Sequence, residues 1–247
     1  MTDALIMAAG RGSRLGGLTD ELPKSLIDLG GITPLELQLD VLMARGVSRA
    51  VLVVGYRRDL LQAAAERRAA GRIGLEFVFN PFWSVTNVLG SAWFARDRLH
   101  DDFVYAHADT VFDPTILDDI LAADADIALP VDMRAGEPEQ MKAEVAGDRV
   151  LHLSKELPEE RTAGEFIGIG LFRRHIVPGL VRAMEDEVAG GAIGSYFEAA
   201  INRLLADGGA EAMAVPTRGR AWTEIDFAED LDNARRLLPS FLKQGAG

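Results

Sequence analysis

Two glycines and two cations crowd one short stretch of this chain, Ala8-Ala9-Gly10-Arg11-Gly12-Ser13-Arg14, and a third cation follows shortly in Pro23-Lys24. That grouping suits a polyphosphate. Gly10 and Gly12 let the backbone pass close to a bulky anion with its amide N–H groups turned inward. Arg14 can grip two phosphate oxygens at once, and Lys24 supplies a mobile point charge. Of two other glycine-loop chemistries, the first fails on spelling and the second stays open only as a minor alternative. A Walker A loop requires Gly-Lys-Ser/Thr, whereas Lys24-Ser25 follows Pro23 and Gly16-Gly17 precedes Leu18. A dinucleotide fingerprint requires glycine where Leu15 stands, and an acidic end to the second strand where Val54-Gly55-Tyr56 is found. The bland alternative, a glycine turn with solvated cations, weakens once Pro23-Lys24 and the later carboxylates are added.

Chemistry on a triphosphate needs a divalent cation, and Mg²⁺ takes hard oxygen ligands from one or two carboxylates plus the phosphates. Asp109, just past the apolar strand Phe103 to His107, and Asp226, closing Trp222-Thr223-Glu224-Ile225, are the candidates. Each has a structural alternative. Asp109-Thr110 could turn the chain, and Asp226 with Glu229 spells a helix capping box.

The run from Ala8 to Leu15, then Leu18-Thr19-Asp20-Glu21-Leu22-Pro23-Lys24-Ser25-Leu26, resembles the signature of nucleotidyltransferases that act on sugar phosphates and related phosphomonoesters. The likeness continues through Gly31 to Gly46 and returns at Thr223-Glu224-Ile225-Asp226, so it spans most of the chain. Asn80-Pro81, Thr86-Asn87 and Ser91 bring it closer to the small cytidylyltransferases of phosphocholine and aminoethylphosphonate than to the glucose-1-phosphate enzymes.

The resemblance implies transfer of a nucleoside monophosphate, CMP before others, from a triphosphate to a small phosphomonoester or phosphonate, with release of pyrophosphate. It implies Mg²⁺ on Asp109 and Asp226. It places Lys24, Arg14 and Lys155 in catalysis, with Lys155 approaching the acceptor phosphate. Ala8, Ala9, Gly10, Arg11, Gly12, Ser13, Asn80, Asn87 and Ser91 would hold the nucleotide. For the acceptor, Trp83, Glu165, Tyr196, Glu198 and Trp222 are the candidates, with Phe82 as a companion, because aromatic faces and carboxylates together recognise a cationic head group. Against this, tryptophan is usually core, Lys155 could be a solvated strand end, and Asn87 and Ser91 could serve as helix-start residues. His107 and His152 read as ordinary strand residues, and Arg57-Arg58 and Arg67-Arg68 as a solvated helix face. Sugar-1-phosphate and inositol-phosphate acceptors are alternatives within the family. Outside it stand a metal-dependent glycosyltransferase, whose Asp-x-Asp element would fall where His107-Ala108-Asp109 is found, and a silent nucleotide-sensing module, which would have lost the lysine or a carboxylate.

The elements that must position these residues alternate. Strands are expected at Ala4 to Met7, Arg49 to Val54, Leu75 to Phe79 and Asp102 to His107. Helices are expected after the Thr33-Pro34 start up to Gly46, and at Asp59 to Ala70 and Val88 to Ala95. Such alternation predicts an α/β, Rossmann-like fold with a mostly parallel central sheet, helices on both faces, and ligands beyond the C-terminal strand ends. After Pro130 the pattern changes to a hairpin, Lys142 to Val145 with Val150 to Leu153, and a strand over Phe166 to Phe172, a small acceptor lobe. Helices at His175 to Val188, Ser195 to Ala206 and Ala228 to Leu238, a strand at Glu211 to Val215, and a frayed tail from Lys243 complete the expectation.

The 247 residues, 48% hydrophobic and 26% charged, suit a single nucleotidyltransferase domain, with a nucleotide-binding part over 1–130, the acceptor lobe over 131–225 and a C-terminal helix and tail over 226–247. With no cysteine, thiolate chemistry and disulfides are excluded. A net charge of −12 disfavours nucleic acid and anionic membranes as partners, and no apolar run approaches a membrane span. A cytoplasmic protein is expected, and a homo-oligomer is compatible with it.

Overall fold

The chain is described by a computed structural model over residues 2–134 and 140–244, with Lys243 and Gln244 by backbone alone. Its elements run β1 (Thr2–Ala8), α1 (Pro34–Ala44), β2 (Arg49–Val54), α2 (Arg58–Ala69), β3 (Gly74–Phe79), α3 (Val88–Phe94), β4 (Asp102–His107), β5 (Thr110–Phe112), α4 (Pro114–Ala122) and β6 (Ile127–Asp132). They continue with β7 (Lys142–Ala146), β8 (Arg149–Ser154), β9 (Gly164–Phe166), β10 (Ile169–Phe172), α5 (Val177–Ala189), α6 (Glu198–Ala206), β11 (Ala212–Pro216), β12 (Trp222–Glu224) and α7 (Ala228–Gln244).

Ten strands form one sheet in the order β11-β8-β7-β9-β6-β10-β4-β1-β2-β3. Its four strands β4-β1-β2-β3 are parallel, as the strand–helix alternation predicts. Beyond it the sheet is mixed, because β10 runs antiparallel between β4 and β6, and the β7–β8 hairpin extends the same sheet. Alternate residues of β1 feed two cores. Ala4, Ile6 and Ala8 pack with Leu35 and Leu39 of α1, Leu61 of α2 and Leu231 of α7. Leu5, Met7 and Ala9 pack with Leu89 of α3, Leu180 of α5 and Ile201 of α6. Continuous burial, with successive residues entering opposite cores, is what a parallel strand covered by helices on both faces requires.

Local chemistry sets the element ends. Thr33 and Glu36 exchange reciprocal bonds at the start of α1, the Thr33 hydroxyl accepting from the Glu36 N–H and the Glu36 carboxylate from the Thr33 N–H, with Pro34 at the first helical position. The strand expected over Phe166 to Phe172 breaks in two at Gly168, whose φ of +74° lies outside extended geometry. The last helix outruns its expected end at Leu238. The buried face Leu231, Ala234, Leu238 and Phe241 carries it past Pro239, and Lys243 and Gln244 of the tail expected to fray are helical, while 245–247 lie outside the described residues. Among the described residues no helix is long and apolar enough to cross a membrane.

Candidate active site

The C-terminal ends of the parallel strands open into a cleft of about 780 Å³. On one side the loop after β1 brings Ala8, Ala9, Gly10, Gly12 and Arg14 to its wall. Gly12 lies at φ +80°, and a β-carbon there would stand 2.7 Å from Cδ of Lys24, so the lysine stem rests directly on the loop backbone. Arg11 turns aside to Asp20 at 2.5 Å, and Ser13 begins the short helical turn Ser13–Thr19. Neither lies on the cleft wall.

Asp109 is placed by three separate constraints. The Ala108 N–H donates to the Met7 carbonyl at 3.1 Å, tying the end of β4 to β1. Gln38, buried in α1, donates its amide to the carbonyls of both His107 and Thr110, which fixes the turn that carries Asp109. Across from it, β12 pairs antiparallel with β5 in the register Glu224↔Thr110, and the Ile225 N–H donates to the Asp109 carbonyl at 3.2 Å. This two-stranded ribbon delivers Glu224 and Asp226 to Asp109 from more than a hundred residues away in the chain.

At the centre lies Lys24. Its ammonium contacts Asp109 Oδ2 and donates to Asp226 Oδ1 at 2.7 Å, and Arg14 Nη1 donates to Asp226 Oδ2 at 3.0 Å. Burial disfavours the Lys24 charge, but Asp109, Glu224 and Asp226 together outweigh it and raise its pKa above the ordinary lysine value. The group is therefore a permanent cation. Burial pushes the Asp109 carboxyl up, against the opposing pull of Lys24. Asp109 Oδ1 is buried with no hydrogen-bond partner among the described residues, an orphaned oxygen of the kind a cation satisfies.

Asp226 does not cap α7. Both its oxygens face Arg14 and Lys24, and Asp230 instead accepts the N–H groups of Asp226 and Phe227, at 3.0 and 2.7 Å. The capping-box alternative is corrected on that ground. A carboxylate between two cations gains more from its charge than from one backbone N–H.

Two groups without a role in the sequence reading complete the centre. His107 Nε2 meets the Tyr105 hydroxyl at 2.8 Å, its Nδ1 lies 3.6 Å from Glu224 Oε1, and the ring rests against Gly168. Burial works against the imidazolium, but the hydrogen bond and charge of Glu224, aided by Asp109 and Glu198, raise the pKa of His107 to about 9. The same pairing overcomes the burial penalty on Glu224 and lowers its pKa to about 2. Ligand atoms of His107, Asp109 and Glu224 lie within 4.8 Å of one another, a second candidate donor set beside Asp109 and Asp226. The signals in the sequence were two, a histidine at the last position of a strand two residues before the carboxylate, and a glutamate two residues before Asp226.

Other expected site residues divide. Asn87, Ser91, Trp83, Lys155, Glu165, Tyr196, Glu198 and Trp222 all line the cleft. Asn80 stands behind the wall, fully buried, donating to Thr86 and Ser91 at 2.9 Å each and accepting from the Phe82 N–H, so it shapes the loop. Asn87 both faces the cleft and caps α3. The aromatic candidates are distributed along the wall. Trp83 packs on Tyr56, Lys155 lies over the Tyr196 ring at 4.9 Å, and the Trp222 indole donates to Asp132 at 2.7 Å, while Phe82 stacks on Phe94 away from the wall. Glu198 is buried, with Oε2 unpartnered among the described residues, and burial raises its pKa.

Comparison with known proteins agrees with this architecture. The chain belongs to the family of MobA-like NTP transferase domains, which it matches over residues 4–187. It is 30% identical to a CMP-5'-(3-aminopropyl)phosphonate synthase of Streptomyces rubellomurinus, over 92% of this chain and 37% of that protein. It is also 30% identical to a bifunctional IPC transferase and DIPP synthase of Rubrobacter xylanophilus, over 98% of this chain and 53% of that protein. It thus spans about a third to a half of the length of these curated relatives. The solved inositol-1-phosphate CTP transferase from T. maritima superposes with a TM-score of 0.82 at 21% identity, over 98% of this chain and 96% of that one, and shares its fold.

Proposed function

We propose that this member of the family transfers CMP from CTP to a small phosphomonoester or phosphonate with a cationic head group. The observation that carries the reading is Lys24. It is a permanently charged ammonium seated against Gly12 of the phosphate loop and held by both Asp109 and Asp226. A cation so placed meets an anion entering between loop and carboxylates, and its raised pKa rules it out as a proton acceptor. Loop amides and Arg14 grip the β- and γ-phosphates, and Lys24 takes the α-phosphate. Lys155 orients the acceptor, whose phosphate or phosphonate oxygen attacks the α-phosphorus in line as pyrophosphate leaves. No covalent enzyme intermediate is required, because the nucleophile is already an anion, and catalysis is positioning plus charge neutralisation.

Asp109 and Asp226 would hold Mg²⁺, which neutralises phosphate charge when bound, and the orphaned Asp109 Oδ1 and the all-oxygen donor pair fit such a hard cation. For the acceptor, carboxyl groups (Asp132, Glu165, Glu198) and aromatic rings (Tyr196, Trp222) share the cleft wall, which supports a cationic head group. Purified protein with Mg²⁺, each of the four nucleoside triphosphates, and phosphocholine, 2-aminoethylphosphonate, inositol-1-phosphate or a sugar 1-phosphate tests the proposal. Pyrophosphate should appear only with both substrates present, fastest with CTP and a cationic acceptor. A preference for an uncharged polyol or sugar phosphate overturns the head-group assignment, and glycosyl transfer without triphosphate cleavage overturns the reaction.

A further inference from the structure

Tyr56 follows β2 and takes no part in the chemistry described above, yet it touches both limbs of the phosphate loop. Its N–H donates to the Ala9 carbonyl at 2.9 Å. Its hydroxyl is shared between the carbonyls of Thr19, at 3.0 Å, and Asp20, on the returning limb of the loop. The Arg11 guanidinium lies over its ring at 5.6 Å, and that of Arg57 at 5.7 Å. Trp83 packs on it at a ring separation of 5.2 Å. Close approach here is enforced by Gly55, where a β-carbon would strike Trp83 at 2.5 Å and the Ala9 carbonyl at 2.6 Å.

The backbone beside it is strained. Arg57 sits at φ +49°, left-handed geometry that disfavours a residue with a β-carbon. Its side chain is tied to Glu21 and to the Asp20 carbonyl, so the same loop limb that Tyr56 holds also holds the strained turn. From that limb the contacts run inward. Thr19 is fully buried, and its hydroxyl lies 3.0 Å from the Gly12 carbonyl and 3.2 Å from that of Gly16. Gly12 in turn bears on the stem of Lys24.

We infer that Tyr56 is a positioning residue whose hydroxyl sets the height of the phosphate loop, and through Gly12 the seat of Lys24, for the triphosphate. The inference rests on the nucleotide site proposed above. The hydroxyl reaches two consecutive carbonyls on one limb while the Tyr56 N–H holds the other, so the residue ties both limbs and sets where the loop amides point. Loss of one such bond weakens the ligand grip by the worth of a neutral hydrogen bond, about threefold to tenfold in affinity.

Isothermal titration of CTP with Mg²⁺ into wild type, Tyr56→Phe, Thr19→Val and the double variant tests it, with kcat and thermal midpoint measured alongside. Tyr56→Phe should bind CTP about threefold to tenfold more weakly, with kcat at saturating CTP changed less than affinity. Thr19→Val should weaken binding similarly. The double variant should fall short of the product of the single effects, since both act on one loop position. Unchanged affinity in a folded Tyr56→Phe protein, even with a lowered midpoint, overturns the inference and leaves the nucleotidyl-transfer reading standing. Fully multiplicative single effects overturn it too. If wild type binds no nucleoside triphosphate, the reading of the site falls first and the inference with it.

Discussion

Replacing Lys24 by alanine separates its two roles, and the structure sets the size of each. The lysine side chain is 16% exposed and that of Asp109 is 12% exposed, so removing the cation leaves a buried carboxylate facing Asp226 with only Arg14, bonded to Asp226, and the charge of His107 to offset it. Breaking a buried pair from one side costs about 3–5 kcal/mol. At the lower figure the thermal midpoint of a chain of this size should fall by roughly 6–12 °C. The loss should depend on pH in a definite direction. Burial already raises the Asp109 pKa, and Lys24 is the main force pulling it down, so its removal raises the folded-state value further. A raised carboxyl destabilises the fold above its unfolded value and ceases to do so once protonated, so the midpoint difference should shrink as pH falls from 8 to 5. The rate should suffer more than binding. A cation that meets charge growing at the α-phosphate acts on the transition state, so kcat should drop on the order of 10²-fold or more. Calorimetric affinity for CTP should change far less. Steady-state pyrophosphate release and calorimetry, both run well below the variant's midpoint, make the comparison. If affinity falls as much as kcat/KM while kcat is preserved, Lys24 contributes uniform binding and the transition-state argument is wrong.

Two further outcomes follow from the same geometry. Asp226→Asn should abolish turnover and the response to Mg²⁺, whereas Asp230→Ala, which removes the acceptor of the Asp226 and Phe227 N–H groups, should cost about 1 kcal/mol of stability and spare turnover. Equal kinetic damage from both would mean that Asp226 matters only through the start of α7. At the opposite end of β4, Asp102 carries a burial penalty that is outweighed by bonds from the Arg174 N–H and the Arg173 side chain, and its pKa lies below the ordinary 3.8. A depressed carboxyl stabilises the fold above the unfolded value and loses that contribution as pH falls through the folded one. Asp102→Asn should therefore have a lower urea midpoint than wild type at pH 7, and the gap should close in acid. A gap that persists at pH 3 would assign the effect to packing.

What the sequence disclosed, and what it withheld, divides by the range of the interactions involved. The glycine loop, Lys24 and the four parallel strands of the sheet rest on neighbours in the chain, on the continuous apolar runs of β1 and β2, and on the Thr33–Glu36 cap. All of these are written in spacing. Asp109 stood out because it follows an apolar strand on the ligand side, and Asp226 because it closes Trp222 to Ile225 just before the last helix, but only the family resemblance favoured the metal over turn and cap for either. The pairing of Glu224 with His107 was not legible, because it depends on β12 meeting β5 in one register, Glu224↔Thr110, between three-residue strands too short to announce themselves. A shift of one residue would turn Glu224 to the other face of the ribbon and leave His107 buried without its carboxylate. The break at Gly168 was hidden for a related reason. Glycine there gives no local sign of a turn, and only the His107 ring, 2.8 Å from where a β-carbon would stand, explains why the strand yields.

Those two hidden features meet at one point. Gly168 makes room for the His107 ring, the ring reaches Tyr105 on one side and Glu224 on the other, and Glu224 stands beside the Lys24 centre. An acidic cleft in a chain of net charge −12 could not gather Asp109, Glu224, Asp226 and Glu198 around the proposed triphosphate site without compensating charge. Lys24, Arg14 and a His107 that holds its proton up to about pH 9 supply it within the protein. Asp109 Oδ1, buried without a hydrogen-bond partner among the described residues, is the oxygen that the proposed divalent cation would take.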